Sequence, residues 1–283
     1  MTRRTRVLVC AVLLVLLAVY LGLSPRFATG LYEPELFNPT QGNGSQADLR
    51  AFAEAENSEV FFPTAGGATL HGWIYLKPGS RKILLVHPGN AGDMAGRLPL
   101  TRLLLESGAS VFQYEPRGFG GSAGQPTLAG IAEDGLAAYD YLVNVRGYSP
   151  DSIVLYGMSL GSGVATYVST QRPAAGLIIH GGFSSLERIG KEKEPILRIY
   201  PSWLFPQPRM DNAEILKHKH PPLLILHGEK DVMIPIAHAE ELANVASQPK
   251  TFVRFPDSGH WTLDADDLQL FVRTVAAYLS SLP

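Results

Sequence analysis

A single cysteine, Cys10, occurs in 283 residues, and it lies within an N-terminal apolar run. Everything after that run is free of thiols. This excludes a cysteine nucleophile, a disulfide framework and thiolate-bound zinc in the remainder of the chain. Neither sign of charge dominates: 24 basic and 26 acidic residues leave a net charge of -2. That balance offers no electrostatic footprint for nucleic acid, and no nucleic-acid partner is expected. Internal repeats, charge runs and low-complexity tracts are also missing, which excludes solenoids and disordered interaction tails. What is present is a chain 46% hydrophobic and 18% charged, long enough to bury one large core.

The apolar run is itself a signal. Arg3, Arg4 and Arg6 precede an uncharged stretch, 7–23, and Arg26 follows it. At roughly 1.5 Å per residue the stretch is near the minimum length for a membrane span. More arginines before it than after it favour a cytoplasmic N-terminus, with the rest of the chain outside the cytoplasm. A cleaved signal peptide is the alternative, leaving a secreted or periplasmic protein. It should carry a shorter apolar region and an A-x-A-like site, whereas the small residues near 22–24 run into Pro25. The expected organisation is a basic segment 1–6, a signal anchor 7–23, a tether 24–56 and a folded domain 57–283.

Within that domain, 60–63 and 70–76 read as a hairpin around Ala65-Gly66-Gly67. Short apolar runs then alternate with helical stretches. The runs are 83–86, 110–114, 153–156, 177–179, 223–226 and 251–255, and the helices fall around 97–106, 131–145, 161–170, 236–246 and 268–280. Near-continuous apolar strands suit a parallel sheet covered on both faces. An antiparallel start followed by repeated βα units gives an α/β fold, with its site at the carboxyl ends of the strands.

Gly157-Met158-Ser159-Leu160-Gly161 follows one such strand and opens a helix. This is G-x-S-x-G in the strand–turn–helix context that the motif requires. Glycines two positions either side let neighbouring backbone approach a serine held in a strained conformation. A serine hydroxyl is a weak nucleophile and needs a base oriented by a third group. His260, in Phe255-Pro256-Asp257-Ser258-Gly259-His260-Trp261, lies between the last strand and the last helix. Asp231, in His227-Gly228-Glu229-Lys230-Asp231, completes the chain order serine, acid, histidine. Glu229 and Asp257 are the rival carboxylates; a turn after Gly228 would bring Asp231 to the histidine loop. The oxyanion donors are expected to be the backbone N–H groups of Leu160 and of Asn90, in His87-Pro88-Gly89-Asn90-Ala91-Gly92.

Two look-alikes carry little. Gly118-Phe119-Gly120-Gly121-Ser122-Ala123 matches G-x-G-x-x-A, but Gly124 and Pro126 follow where a helix should open. His218-Lys219-His220 has no third ligand nearby and reads as a surface turn.

Together these motifs resemble the α/β-hydrolase superfamily, from about Val60 to the C-terminus. More narrowly, they look like the serine aminopeptidase-like branch that includes bud-emergence-type and depalmitoylating α/β-hydrolase-domain proteins. The resemblance rests on Pro88-Gly89-Asn90-Ala91-Gly92, Tyr114-Glu115-Pro116-Arg117-Gly118-Phe119-Gly120, the serine motif, His227-Gly228-Glu229-Lys230-Asp231 and Gly259-His260. Two departures stand out. Pro88-Gly89 replaces the usual His-Gly, and Glu115-Pro116-Arg117-Gly118 replaces Asp-Tyr-Arg-Gly. The resemblance implies hydrolysis of esters, thioesters or amides without a cofactor, on a small-molecule or lipid acyl substrate. It also implies a short cap insertion at about 181–221, in which Tyr200, Trp203 and Phe205 either line an acyl pocket or pack the cap onto the core.

Overall fold

In the computed structural model, every residue is described except Met1, Asn43, Trp261 and Thr262. Trp261, the last residue of the expected histidine motif, therefore lies outside the described residues. Eight strands form one sheet: β1 Glu56–Pro63, β2 Thr69–Leu76, β3 Ile83–His87, β4 Ser110–Tyr114, β5 Ile153–Met158, β6 Gly176–His180, β7 Leu223–Gly228 and β8 Lys250–Phe255. Their spatial order is β8-β7-β6-β5-β3-β4-β2-β1. β3 to β8 run parallel, β2 pairs antiparallel with β4, and β1 pairs antiparallel with β2. This is the α/β-hydrolase fold.

The apolar runs are continuous because both faces of the sheet are covered. In β3, Ile83 and Leu85 join one core cluster while Leu84 and Val86 join the other; Ile153 and Leu155 alternate with Val154 and Tyr156 in the same way in β5. The first cluster is closed by α4 Leu128–Asn144, α5 Leu160–Gln171, α7 Asn212–Leu216 and α8 Ala237–Val245. The second is closed by α3 Leu98–Glu106 and α9 Ala265–Ser281. Thr127 caps α4 through its side chain, and Asp264 caps α9. Strand order reverses beside β3, so the loops after β3 and β5 flank the crevice where ligands bind in such sheets.

The N-terminal helix α1, Arg3–Gly22, has 20 residues, none of them buried. It is long and apolar enough to cross a membrane or to be a signal sequence. The following stretch differs from the tether expected at 24–56. It carries α2, Thr29–Leu36, and Asn38–Pro39 pair in parallel with Ala91–Gly92. Phe37, Leu49, Phe52 and Ala55 are buried in the two cores. Local patterning in this stretch is weak because its hydrogen bonds go to distant loops: Gly120 N–H donates to Thr40 O, and Asn38 N–H to Asn90 O.

The insertion after β6 holds α6, Leu186–Lys193, the single-turn pieces Pro195–Ile199 and Ser202–Leu204, and α7. Tyr200 and Phe205 are buried with Leu197 and Leu204 in a small separate cluster, while Trp203 is 56% exposed. Tyr200 and Phe205 therefore pack the cap against Tyr20, Leu21 and Tyr32 near the end of α1 rather than onto the core, which is neither of the two roles expected for them.

Candidate active site

Ser159 sits between β5 and α5 with φ 52° and ψ −122°, a conformation that non-glycine residues seldom adopt. The surrounding glycines make that turn possible. A Cβ on Gly157 would lie 2.5 Å from the carbonyl oxygen of Gly161, and one on Gly161 would overlap the carbonyl oxygen of His87. The serine hydroxyl is thereby held at the carboxyl end of the sheet, at the start of a helix whose first N–H groups have no intrahelical acceptor.

His260 Nε2 is 3.0 Å from Ser159 Oγ, and His260 Nδ1 is 2.6 Å from Asp231 Oδ2. An ionised carboxylate only accepts, so Nδ1 carries the proton and Nε2 is left to accept from the serine. All three residues are buried. Asp231 Oδ1 accepts from the backbone N–H groups of Met233 and Ile234, at 2.9 and 2.8 Å. His227 Nε2 donates to Ile234 O at 2.7 Å and lies 3.3 Å from Asp231 Oδ2. Burial opposes the charge on Asp231, but hydrogen bonds from His227, His260 and the Ile234 N–H outweigh it. They hold its carboxyl far below the ordinary aspartate range.

The rival carboxylates are engaged elsewhere. Glu229 faces Arg254 at 3.7 Å, and Asp257 accepts from Lys230 at 2.7 Å. Gly228 explains why the acid loop can lie against the histidine loop, since a Cβ there would overlap the carbonyl oxygen of Ser258. Gly181, at φ 56°, lies beneath the imidazole: a Cβ would stand 3.4 Å from His260 Nδ1.

Two more buried imidazoles stand at this end of the sheet. Burial lowers His87 to about 3, and its Nδ1 is 2.9 Å from Tyr114 Oη. Burial, reinforced by His227 and His260, lowers His180 to about 3; its Nδ1 is 2.6 Å from Tyr156 Oη. Both are neutral frame residues at neutral pH. Elsewhere, His238 contacts Ser184 and Glu192, and His71 lies between Glu115 and Glu59. His218 is exposed beside Glu214, and His220 Nδ1 meets Pro221 O. Among the described residues no group of three or more His, Cys, Asp or Glu could hold a metal ion.

The loop after β3 is stitched to the N-terminal stretch as well as to Gly161. Asn90 Nδ2 donates to Leu36 O at 2.7 Å, which fixes the loop whose backbone N–H was expected to face the oxyanion. A narrow apolar crevice lined by Pro88, Gly89, Leu160 and Phe119 has room for about one water molecule, ≈ 10 Å³. The departures noted in 115–118 serve the frame. Glu115 accepts from the N–H groups of Met94 and Gly121, while Arg117, which the usual pattern shares, pairs with Glu133 and Asp134.

The family model of the prolyl oligopeptidase family matches residues 103–282, a span that holds Ser159, Asp231 and His260. The chain belongs to the prolyl oligopeptidase family. The uncharacterized protein Rv2307c of Mycobacterium tuberculosis is 32% identical over 224 residues, covering 78% of this chain and 79% of that protein. The lysophosphatidylserine lipase ABHD12 of Rattus norvegicus is 33% identical over 190 residues, covering 61% of this chain and 47% of the lipase. Among solved structures, a Pyrococcus furiosus esterase superposes with a TM-score of 0.68 at 20% identity, covering 87% of this chain and 98% of the esterase. Mouse α/β-hydrolase domain-containing protein 10 gives 0.59 at 19% identity, covering 79% and 98%. These likenesses place the chain in the α/β-hydrolase superfamily, as a hydrolase of that type.

The sequence reading missed three supports of this site: His227 beside Asp231, Gly181 beneath the imidazole, and the pairing of 38–39 with 91–92. His227 had a signal, because an imidazole four residues before the acid can reach back across the turn. The pairing had none in local periodicity.

Proposed function

We infer that the chain is a membrane-anchored serine hydrolase that cleaves carboxylic esters or thioesters through an acyl-enzyme. Ser159 is the nucleophile, His260 the base and then the acid, and Asp231 the group that orients the imidazole. The observation that carries this reading is the unbroken hydrogen-bond chain of 3.0 and 2.6 Å through His260, ending on a serine at φ 52°.

In the first step His260 Nε2 takes the hydroxyl proton while Ser159 Oγ attacks the carbonyl carbon. The tetrahedral oxyanion is met by the backbone N–H groups of Leu160 and Asn90. Collapse breaks the bond to the leaving oxygen or sulfur, which departs with the proton from Nε2. Water then gives a proton to Nε2 and attacks the acyl carbon, and the returning proton restores Ser159. Asp231, held ionised, stabilises the imidazolium in both steps. No cofactor enters these steps. The substrate is a small-molecule or lipid acyl compound. The lipase name carried by one relative and the esterase name of a structural neighbour support acyl esters over amides.

The anchor is α1, with the domain outside the cytoplasm, supported by Arg3, Arg4 and Arg6 before the apolar run and Arg26 alone after it. A second reading, an exopeptidase or amidase with the same residues, is favoured by the family's own name. A panel of acyl esters and thioesters of graded chain length, run against aminoacyl amides, decides between them. Faster turnover of the esters is expected, and turnover confined to amides would reassign the reaction. Folded protein idle on the whole panel would point to a hydrolase fold that has kept binding and lost catalysis.

A further inference from the structure

The end of α1 does not leave the domain on a loose chain; it is seated on the cap. Tyr20 Oη donates to Ile199 O at 2.7 Å, and its ring stacks on Tyr200 at 5.0 Å. Tyr200 and Tyr32 both donate to Leu23 O, at 3.1 and 2.9 Å. Arg26 donates through its backbone to Leu204 O and through its guanidinium to Trp203 O, each at 2.9 Å. Tyr20, Leu21 and Tyr32 complete the small cluster of Leu197, Tyr200, Leu204 and Phe205. Ser24, between the helix and α2, is fully buried. Such a seat fixes the cap relative to the helix axis, and with it the level of the cap relative to any bilayer that α1 enters.

Large apolar side chains are exposed at this junction. Leu23, Phe27, Leu31, Ile196, Ile199 and Trp203 are each between 48% and 63% exposed. Three of them, Leu23, Ile199 and Trp203, belong to the very residues whose carbonyls make the seat, so the patch continues directly from the apolar surface of α1. Exposing apolar surface in water is unfavourable by about 25 cal/mol per Å², and large exposed apolar surfaces mark contact sites. The chemistry at its edge is that of a headgroup layer. Trp203 and the tyrosines belong to the residue types concentrated at membrane interfaces, and Arg26 places a guanidinium group beside Trp203.

We propose that this face of the cap is a second membrane contact. Leu23, Phe27, Leu31, Ile196, Ile199 and Trp203 lie in the interfacial layer of the bilayer that α1 spans, holding the catalytic domain on the lipid surface. The proposal rests on the anchored reading of α1 given above. It has a consequence for the site: the cap follows β6 at the carboxyl end of the sheet, so the lipid surface and the Ser159 end are on the same side of the domain. Lys193, at the end of α6, donates to the carbonyl of Val232, the exposed neighbour of Asp231, and so joins the cap to the rim of the site. An acyl substrate dissolved in the bilayer would then reach Ser159 without crossing bulk water.

The test uses the full chain carrying Cys10→Ala, in phosphatidylcholine–phosphatidylglycerol vesicles. A single cysteine is introduced by Ile199→Cys or Trp203→Cys, and by Val145→Cys as the control. Val145 is exposed at the far end of α4, toward the amino end of the sheet. Each thiol is given an environment-sensitive fluorophore, and lipids bearing nitroxide groups are the quencher. Labels at 199 and 203 should be blue-shifted and strongly quenched while the label at 145 is neither. Extraction at alkaline pH is run in parallel. A chain that resists extraction yet shows no more quenching at 199 and 203 than at 145 overturns the second contact and leaves the anchor standing. A chain that is extracted removes both. A blue shift that the lipid nitroxides leave unquenched, and that fades on dilution, would assign the patch to a second copy of the chain instead. Independently, Ile199→Asp with Trp203→Asp should lower turnover of a vesicle-borne ester about tenfold and leave a water-soluble ester unaffected. Equal effects on both substrates would contradict the proposal.

Discussion

At the carboxyl end of the sheet, backbone meets backbone. Gly161 and Gly228 leave no room for a Cβ, and the loops they belong to press on the His87 and Ser258 carbonyls. At the seat of the cap on α1, most of the contacts are made by side chains: three tyrosine hydroxyls and one guanidinium reach carbonyl oxygens, beside a single backbone bond from Arg26 to Leu204. The first region holds Ser159, His260 and Asp231 within hydrogen-bond reach of one another, the precision that the proposed chemistry requires. The second is built to fix the position of a surface, and leaves its apolar side chains uncovered. Precision of a few atoms and placement of a face call for different materials.

The largest effect that could break this contrast is on catalysis. Asp231→Asn should lower kcat by about 10⁴-fold, because the amide favours the wrong imidazole tautomer. Glu229→Gln, which touches only the exposed Arg254 pair, should leave kcat near wild type. The reverse pattern in steady-state ester hydrolysis would move the acid to Glu229.

Two stability measurements sharpen the comparison. Gly161→Ala should cost about 3 kcal/mol in denaturant unfolding, since neither His87 nor Pro88 can withdraw its backbone. The same substitution at Gly190, inside α6 of the cap, should have the opposite sign. A Cβ there meets only Leu197 at an ordinary 3.5 Å, and helix propensity favours alanine by about 0.5–1 kcal/mol. Loss of stability at both positions would show the cap to be as tightly built as the site.

The site end should also be the acid-sensitive one. His87 and His180 are lowered to about 3 by burial, whereas an unfolded histidine takes up its proton near 6.5. Between those values the unfolded state binds more protons, so stability falls as pH falls. The slope is about 1.4 kcal/mol per pH unit for each residue. From pH 6 to pH 5 the pair should remove about 2.5 kcal/mol, read as a shift of the denaturation midpoint. A midpoint unchanged over that unit would mean that one or both imidazoles can be protonated in the folded state.

The sheet was legible in sequence because the cause of its pattern is local: a strand buried on both faces must be apolar throughout. Runs at 83–86 and 153–156 accordingly match β3 and β5 to within two residues. The serine loop was legible for a related reason, because its backbone conformation demands glycine at fixed offsets. The stretch 24–56 was not. Its order comes from bonds such as Asn38 to Asn90 and Leu128 to Glu33, whose partners lie 52 and 95 residues away in sequence. The cap was equally opaque: its single-turn pieces are too short for any period, and Tyr200 and Trp203 differ only in which side of the seat they occupy.

The central claim is that Ser159 is an activated nucleophile. A fluorophosphonate probe applied to the folded full-length protein in vesicles, followed by peptide mass analysis, tests it most directly. The account predicts one phosphonylated residue, Ser159, with labelling abolished by Ser159→Ala and slowed severely by Asp231→Asn. Folded wild-type protein that stays unlabelled, or labels at another serine, would contradict it.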